Sequence, residues 1–428
     1  MGFLRRFTTV TMCMTLVAGC SAGPAVDEQP TATPITAPVP PGDNPPGEKQ
    51  VNPPTLQPVK PSQYTDAQGL PFPVPSTEAN PILTVSRESA WGSNLDITEI
   101  PAILDDGYIL TFKAVSEDGK TIVGRAGPTD RKSFAPPKLV LMDVASRQVT
   151  EIAKAPDESG AFYTWVNGVS MDQEWVVWPE GRILQVYNIT TRQRSEIQMK
   201  DEFLEAHMPI KETISVDHGI AVWAEKASEK PGQDRIASVV KSVELATGET
   251  SVLAPSGVNP MISWPMVIWI EPDLTTIQEG QVLSRLVTLN VETGAHQVIS
   301  GLLGVDEVAA YGETATWQGW GMNVVVLQDF AETRKQIIAP LDTTGRQNLT
   351  IKERLVAWDS ARSDVWDREI GRLIRLNETR APVTVRLQGR MLAWQTDPSF
   401  NHRLGFESDI LQPEEMKIYL LDTTTLNN

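Results

Sequence analysis

The most regular feature of the sequence is a short apolar run that ends in tryptophan. Six copies close on Trp178, Trp223, Trp269, Trp317, Trp358 and Trp394. An earlier run, 121–124, has the same form without the aromatic residue, and successive copies lie roughly 36 to 54 residues apart. This is the spacing of repeated units of one small sheet each. Because the runs are apolar at consecutive positions, they predict strands that are covered on both faces.

Further strand signals follow each run. After a variable segment come a second apolar stretch, a tight turn and a short third stretch, as at 286–291 before the turn of Gly294. Glycine supplies the positive φ that such a hairpin turn requires. Seven sheets of about four strands each predict an all-β fold, a seven-bladed β-propeller. Tandem immunoglobulin-like sandwiches are the rival fold, but they would repeat near every 100 residues.

The two ends of this domain are expected to meet. The last unit shows strands near 383–387, 391–394 and 417–421, with no fourth strand after them. Residues near 95–100, just before the first unit, are predicted to supply the missing outer strand. Such a latch closes the ring and removes two bare sheet edges.

One motif carries a resemblance to a known family. The stretch 115–123, V-S-E-D-G-K-T-I-V, resembles the S-x-D-G-K-x-I-x repeat of TolB-type propellers, and the segments 170–172 and 215–217 are partial echoes of it. The resemblance covers roughly 100–428. It implies that the Asp and Gly shape a turn between blade strands, and that the protein acts through protein contacts or as an appendage to an enzyme. Because propellers host many unrelated functions, the fold alone does not indicate which function this chain has.

The N-terminus has the form of an export signal. Arg5 and Arg6 precede a mostly apolar stretch, 7–18, that is shorter than the about 20 residues of a membrane-spanning helix. The sequence L-V-A-G-C at 16–20 resembles the lipobox of bacterial lipoproteins, which implies that Cys20 is lipidated and begins the mature chain. We therefore expect a signal peptide at 1–19 and attachment to the membrane through acyl chains on Cys20.

A proline-rich segment separates this signal from the repeats. Residues 20–80 contain many prolines and few large apolar side chains, so they cannot bury enough surface to fold. The segment is predicted to be a disordered tether, with a proline-rich ligand for a partner module as the alternative. The propeller is then a single domain, 81–428. The expected location is the extracytoplasmic side of a bacterial cell envelope, on the cell membrane or, in a double-membraned host, the outer membrane.

Charge and cysteine content narrow the possible functions. The formal net charge of −17 becomes −19 when 1–19 is removed, because this segment contains two arginines and no acid. Such a surface repels phosphates, so we expect no nucleic-acid partner. The only cysteines, Cys13 and Cys20, precede the mature domain or begin it, which predicts a fold without disulfides or thiolate metal ligands.

Few residues suggest catalysis. The four histidines lie far apart in sequence, and none has a metal-ligand partner at a recognised spacing, so we predict no metal site and no cofactor. The nearest match to a serine nucleophile turn is 168–172, which lacks the second glycine. Loop carboxylates such as Glu271 and Asp273 could act as a pair at the channel mouth, as in propeller glycosidases. An extracellular glycan-active enzyme is therefore the alternative to a binding protein, and a sensor or assembly factor is a third hypothesis.

The predicted binding surface is the face with the long loops. Second-to-third-strand connections of a propeller emerge on one face, and the segments near 126–137, 225–238, 271–284, 360–371 and 396–415 are long and charged. Trp366, in a polar segment outside the repeat register, is a candidate anchor. We expect this face to bind a protein or a cell-wall glycan. The candidate contact residues are Lys226, Lys230, Asp234, Glu271, Asp273, Asp364, Trp366, Arg368, His402 and Arg403.

Overall fold

The computed structural model describes fourteen stretches of the chain, all in one compact unit. They are residues 84–128, 136–154, 168–180, 182–199, 214–226, 238–278, 281–303, 305–319, 324–329, 335–340, 348–359, 364–376, 383–396 and 416–426. The predicted signal peptide, Cys20 and the tether lie outside these residues.

The described strands form seven separate sheets, which are the seven blades of a β-propeller. In blade 1 the strands are β3 (Tyr108–Val115), β4 (Thr121–Pro128), β5 (Lys138–Asp143) and β6 (Val149–Lys154). In blade 2 they are β7 (Ser170–Met171), β8 (Trp175–Glu180), β9 (Ile183–Asn188) and β10 (Arg194–Gln198). In blade 3 they are β11 (Ser215–Asp217), β12 (Ile220–Lys226), β13 (Ser238–Glu244) and β14 (Glu249–Ala254).

Blades 4 and 5 have the same four-stranded antiparallel order. Blade 4 comprises β15 (Val258–Ser263), β16 (Met266–Gln278), β17 (Gln281–Asn290) and β18 (His296–Leu303). Blade 5 comprises β19 (Val305–Tyr311), β20 (Thr314–Gly319), β21 (Val324–Asp329) and β22 (Lys335–Pro340).

The last two blades incorporate strands from the start of the domain. Blade 6 comprises β23 (Thr350–Lys352), β24 (Leu355–Ala357), β25 (Asp364–Asp367) and β26 (Arg372–Arg375), with β1 (Thr84–Ser86) parallel to β26 as a fifth strand. Blade 7 comprises β27 (Val383–Gln388), β28 (Met391–Thr396), β29 (Lys417–Asp422) and the outer strand β2 (Ile97–Pro101). A one-turn helix, α1 (Arg87–Trp91), connects β1 toward β2, and a 3₁₀ turn, Thr423–Thr425, follows β29.

The predicted latch between the two ends is confirmed. Strand β2 pairs antiparallel with β29, from Ile97 opposite Leu421 to Pro101 opposite Lys417. The innermost strands contact one another in sequence from β3 to β27, and β27 contacts β3. The ring is therefore closed, and the N-terminal strand covers the edge that blade 7 would otherwise expose.

The core of the described structure consists of seven hydrophobic clusters, one at each seam between neighbouring blades. The six repeat tryptophans occupy equivalent places in six of these seams, and each is at most 2% exposed. In the remaining seam, between blades 7 and 1, the equivalent residue is Gly124. A Cβ there would lie 2.6 Å from Leu110 Cδ1, so Leu110 fills the space that an indole fills elsewhere. The absence of the seventh aromatic is thus a local repacking of the same repeat.

Candidate functional site

The ring has two faces that differ in their connections. Turns between strands 1 and 2 and between strands 3 and 4 of each blade emerge on one face, which we call the hairpin face. Connections between strands 2 and 3 and between successive blades emerge on the other, the long-loop face. Between them runs a central channel of about 220 Å³, lined by the innermost strands.

One position in each blade marks the hairpin-face mouth of this channel. It ends the innermost strand or follows it directly, and strand pairing makes it equivalent around the ring. The seven residues are Ser116, Asp172, Asp217, Ser263, Tyr311, Lys352 and Gln388. All of them carry a polar group, because here the strand leaves the apolar seam.

Two of these seven residues, Asp172 and Asp217, are aspartates that bond to the neighbouring blade. Asp172 Oδ2 accepts the backbone N–H of Gly219 at 2.8 Å, and Asp217 Oδ2 accepts that of Trp264 at 2.8 Å. Asp172 Oδ1 also accepts the N–H groups of Glu174 and Trp175 in its own turn. Backbone N–H groups form stronger hydrogen bonds to charged acceptors than to neutral ones. Both aspartates therefore stabilise the first turn of the next blade. Burial raises the pKa of Asp172 even though the three N–H groups favour its charged form.

The serines two positions before these aspartates also accept backbone N–H groups of the next blade. Ser170 Oγ accepts the N–H of Val216 at 3.1 Å, and Ser215 Oγ accepts that of Ile262 at 3.1 Å. The S-x-D echoes thus link blades as well as shape turns. In blade 1, however, strand register places Ser116 level with Asp172. The motif that suggested the TolB resemblance is therefore displaced by two residues from its two echoes.

Glu117 crosses the mouth of the channel. Its backbone packs against Gly389 of blade 7, whereas its carboxylate lies within 4.8 Å of ligand atoms of Asp217 and His218 in blade 3. Blades 7 and 3 are on opposite sides of a seven-membered ring. Burial raises the pKa of Glu117, and the nearby negative charge of Asp217 raises it further, while Lys352 and His218 partly oppose this effect.

A lysine and three rings complete the group. Lys352 Nζ lies 3.8 Å from Asp217 Oδ2, across the channel, and 5.1 Å from the ring centre of Tyr311. His218 Nδ1 donates to Asp217 Oδ1 at 2.8 Å, and the His218 ring stacks on Trp264 with ring centres 5.7 Å apart. The His218 side chain is 58% exposed. We call Glu117, Asp217, His218, Trp264 and Lys352 the mouth cluster.

Three groups of the mouth cluster have metal-ligating chemistry. Glu117, Asp217 and His218 each offer one ligand atom within 4.8 Å of the others. Both carboxylate oxygens of Asp217 already have partners, so a cation would have to compete with these contacts. Nothing further among the described residues points to an ion here. Sequence reasoning missed this grouping because about 100 residues separate Glu117 from Asp217, and only ring closure brings them together.

Several residues predicted for the long-loop face lie beyond the described structure, namely Lys230, Asp234, His402 and Arg403. The backbones of Lys226 and Asp273 are described, and both residues belong to strands, β12 and β16. The segment 271–284, predicted as a loop, is largely a long β-hairpin between β16 and β17. The prediction of a loop was wrong there because the hairpin extends well beyond the apolar repeat.

Two of the other predicted contact residues have partners within their own blades. Glu271 is 9% exposed and forms an ion pair with Arg285. It follows Trp269 by two residues, the place from which Glu180 and Glu225 accept the indole N–H of their blades' tryptophans. Asp364 pairs with Arg375 at 3.3 Å. Their described contacts are structural.

Trp366 and Arg368 do not lie where the sequence placed them. Trp366 belongs to strand β25 and is 5% exposed in the seam between blades 5 and 6, so the prediction of an exposed loop anchor was wrong. Arg368 stands in the turn between β25 and β26, on the hairpin face, where it bonds Asp329 Oδ1 and Thr314 Oγ1, each at 3.2 Å. It therefore links blades 6 and 5 on the face opposite to the one predicted.

Comparisons with known proteins support no assignment beyond the fold. No family model matches the sequence, and no curated protein matches it significantly. Among solved structures, the propeller domain of the Trilobed protease from Pyrococcus furiosus is 10% identical over 67% of this chain and 89% of its own, with a TM-score of 0.46. The acylaminoacyl peptidase of Pyrococcus horikoshii is 9% identical over 68% of this chain and 49% of its own, with a TM-score of 0.46. A chain of the Mitotic Checkpoint Complex is 10% identical over 82% of this chain and 99% of its own, with a TM-score of 0.43.

Among the described residues, the helices are too short or too polar to cross a membrane.

Proposed function

We propose that this chain is a non-catalytic binding propeller of the bacterial cell envelope, held at the membrane through lipid on Cys20, and that the mouth cluster receives a basic group of its partner. The partner is a protein or a cell-wall polymer that carries ammonium or guanidinium groups. The observation that carries the proposal is the placement of Glu117 across the channel, beside Asp217 and the stacked pair of His218 and Trp264. We also propose kinship with TolB-type propellers, on the motif at 115–123.

Charge and ring chemistry support this choice of ligand. An acidic chain attracts cations over long range, and its net charge is −17. At the mouth, Glu117 offers a partly buried carboxylate and Trp264 offers an indole, which are the two kinds of group that hold a cation in a protein site. Lys352 already occupies part of this environment as an internal cation. A ligand ammonium would take the same kind of contacts from the solvent side.

Binding fits the mouth better than glycan hydrolysis does. A glycosidase needs two carboxyl groups free to act on the sugar. Both oxygens of Asp172 accept backbone N–H groups, and both oxygens of Asp217 have partners. Neither aspartate of the described mouth is therefore free to act on a sugar together with Glu117. The arrangement therefore supports recognition of charge.

The binding proposal is tested by titrating the mature chain with a short lysine-rich peptide of defined length. We expect binding that weakens with salt, and about tenfold or greater loss of affinity in Glu117→Gln and in Trp264→Ala. Asp143→Asn is the matched control, because it removes one acidic charge from an exposed turn on the same face. Unchanged affinity in both mouth variants, or equal loss in the control, would contradict the proposal.

The same titration distinguishes the two faces. Lys226→Ala, Asp273→Ala and His402→Ala change residues proposed for the long-loop face. If these variants lose binding while Glu117→Gln retains it, the partner site lies on the long-loop face. Lipidation is tested separately by Cys20→Ser, which should move the protein from the membrane fraction and abolish incorporation of labelled fatty acid.

A further inference from the structure

The segment before blade 1 runs along the closure of the ring and contacts three blades. Strand β1 extends blade 6, and Trp91 of α1 enters the cluster between blades 6 and 7. Strand β2 completes blade 7, and its Ile100 lies in the cluster between blades 7 and 1. One short stretch of chain therefore holds the ring at its point of closure.

This stretch has two parts with different attachments. The first part, Thr84–Trp91, is held by three parallel residue pairs with β26 and by the side chain of Trp91, which is 2% exposed. The second part, Ile97–Pro101, is held by five antiparallel pairs with β29, by Ile100 at 1% exposure and by an ion pair between Glu99 and Lys417. Immediately after it, Ala102 bonds Met416 and Leu110, which ties the second part into blade 1. We call the first part the strap and the second part the closure strand.

The order of these parts along the chain decides which of them a pull reaches first. Everything that precedes Thr84 is joined to the ring through the strap, and the closure strand follows it. Tension from the N-terminal side therefore acts on β1 and α1 before it acts on β2. The strap is held by three residue pairs and by the packing of Trp91, Val85 and Ala90 in the cluster between blades 6 and 7. The closure strand forms five residue pairs with β29.

We propose that the strap is a mechanical buffer, which detaches first under tension from the N-terminus and leaves the ring closed by β2. This inference rests on the proposed anchor at Cys20, which is the source of such tension. When the strap opens, the 13 residues from Thr84 to Asp96 are released, about 45 Å of extended chain. The propeller would gain at most this length as added reach from the membrane, without losing its seven-bladed ring.

The test is single-molecule pulling on the mature chain, residues 20–428, with Cys20→Ser. The handles are attached at Gln50→Cys and at Ser195→Cys, an exposed position on the outer strand of blade 2. We expect two steps, a first extension of at most about 45 Å and a later opening of the ring. At fixed force, Trp91→Ala should speed the first step by about 100-fold and leave the second unchanged. Ile100→Ala should do the reverse.

A single rupture in the parent chain would overturn the proposal. So would a Trp91→Ala variant in which ring opening accelerates while the first step stays the same. These readings are independent of lipidation, because the handle replaces the anchor. If Cys20→Ser leaves the protein in the membrane fraction in cells, the anchoring proposal fails even where the two steps are observed.

Discussion

The indole N–H of Trp91 donates a hydrogen bond of 2.8 Å to Oδ2 of Asp367, although 276 positions separate the two residues. The same oxygen accepts from Arg354 at 2.6 Å, so the carboxylate joins the N-terminal helix to β25 and to the turn between β23 and β24 in blade 6. Asp367 is fully buried. A buried carboxylate must have its charge compensated, and here one partner comes from outside the blade that contains it.

Trp91→Ala is expected to destabilise the protein by about 3 to 5 kcal/mol, the usual cost of removing a large aromatic side chain from a core. Trp91→Phe keeps most of the ring and removes one donor to Asp367, which still has Arg354. We expect a smaller loss of about 1 to 2 kcal/mol. Denaturant midpoints of the two variants separate the contribution of the Trp91 ring from that of its hydrogen bond. Equal losses would mean that the hydrogen bond, and not the ring, is what matters.

Removal of residues 1–101 should lower the melting temperature and cause association at high concentration. This truncation deletes β1, α1 and β2, so both β26 and β29 become edge strands with unpaired backbone groups. A truncation that ends at Asn80 is the control, since it leaves all described strands in place. Melting curves and sedimentation of the two proteins should differ clearly. A monomeric 102–428 chain as heat-stable as the control would show that closure by β2 contributes nothing.

The repeat tryptophans and the latch could be predicted from sequence because both follow from burial. A blade strand packed on two faces must be apolar at consecutive positions, so Trp178 and its equivalents recur in register. The last blade lacked one strand, and the stretch near 95–100 was left over just before the first blade. These inferences need only local pattern and the requirement that sheet edges be covered.

The mouth cluster could not be predicted in the same way. Glu117 sits in a turn and looks like a solvated acid until the ring places it opposite Asp217. Trp366 was misread for the opposite reason, because polar neighbours Asp364 and Asp367 made a buried strand look like a loop. Their charges are neutralised by Arg375 and Arg354, which lie elsewhere in the blade. Local polarity does not reveal that a charged residue is buried when its partner lies elsewhere in the sequence.

Asp172→Ala is expected to cost about 2 to 3 kcal/mol, because three backbone N–H groups lose a charged acceptor. Asp172→Asn keeps one acceptor oxygen and should lose less. Asp143→Ala, in an exposed turn, should cost clearly less than Asp172→Ala. Urea titrations provide the comparison. If Asp172→Ala costs no more than Asp143→Ala, the hydrogen bond from Gly219 of blade 3 to Asp172 of blade 2 does not contribute measurably to stability.

Gly389→Ala should destabilise the protein by about 1 to 3 kcal/mol. A Cβ at this position would lie 2.5 Å from Glu117 Cβ and 2.7 Å from its Cα, and the backbone has a φ of +52°. Because the clash involves the backbone of residue 117, Glu117→Ala should not rescue the variant. Gly248→Ala is a useful control, since its φ is +73° and a Cβ there meets nothing within 4 Å. Equal losses in the two variants would assign the effect to φ alone.

Glu117→Gln should be more stable than the parent at pH 7, and the difference should shrink as the pH falls. Burial and the charge of Asp217 raise the pKa of Glu117 above its ordinary value of 4.5, so the folded state holds this proton more tightly than the unfolded state does. The parent therefore has its full share of this stability below pH 4.5 and loses it as the pH rises through the raised pKa. Glutamine carries no such charge and avoids the loss. Urea midpoints of both proteins between pH 4 and pH 8 measure the effect, with Asp143→Asn as a control for a general change in net charge. Parallel curves for Glu117→Gln and the parent would show that the charge on Glu117 does not lower the stability of the folded state.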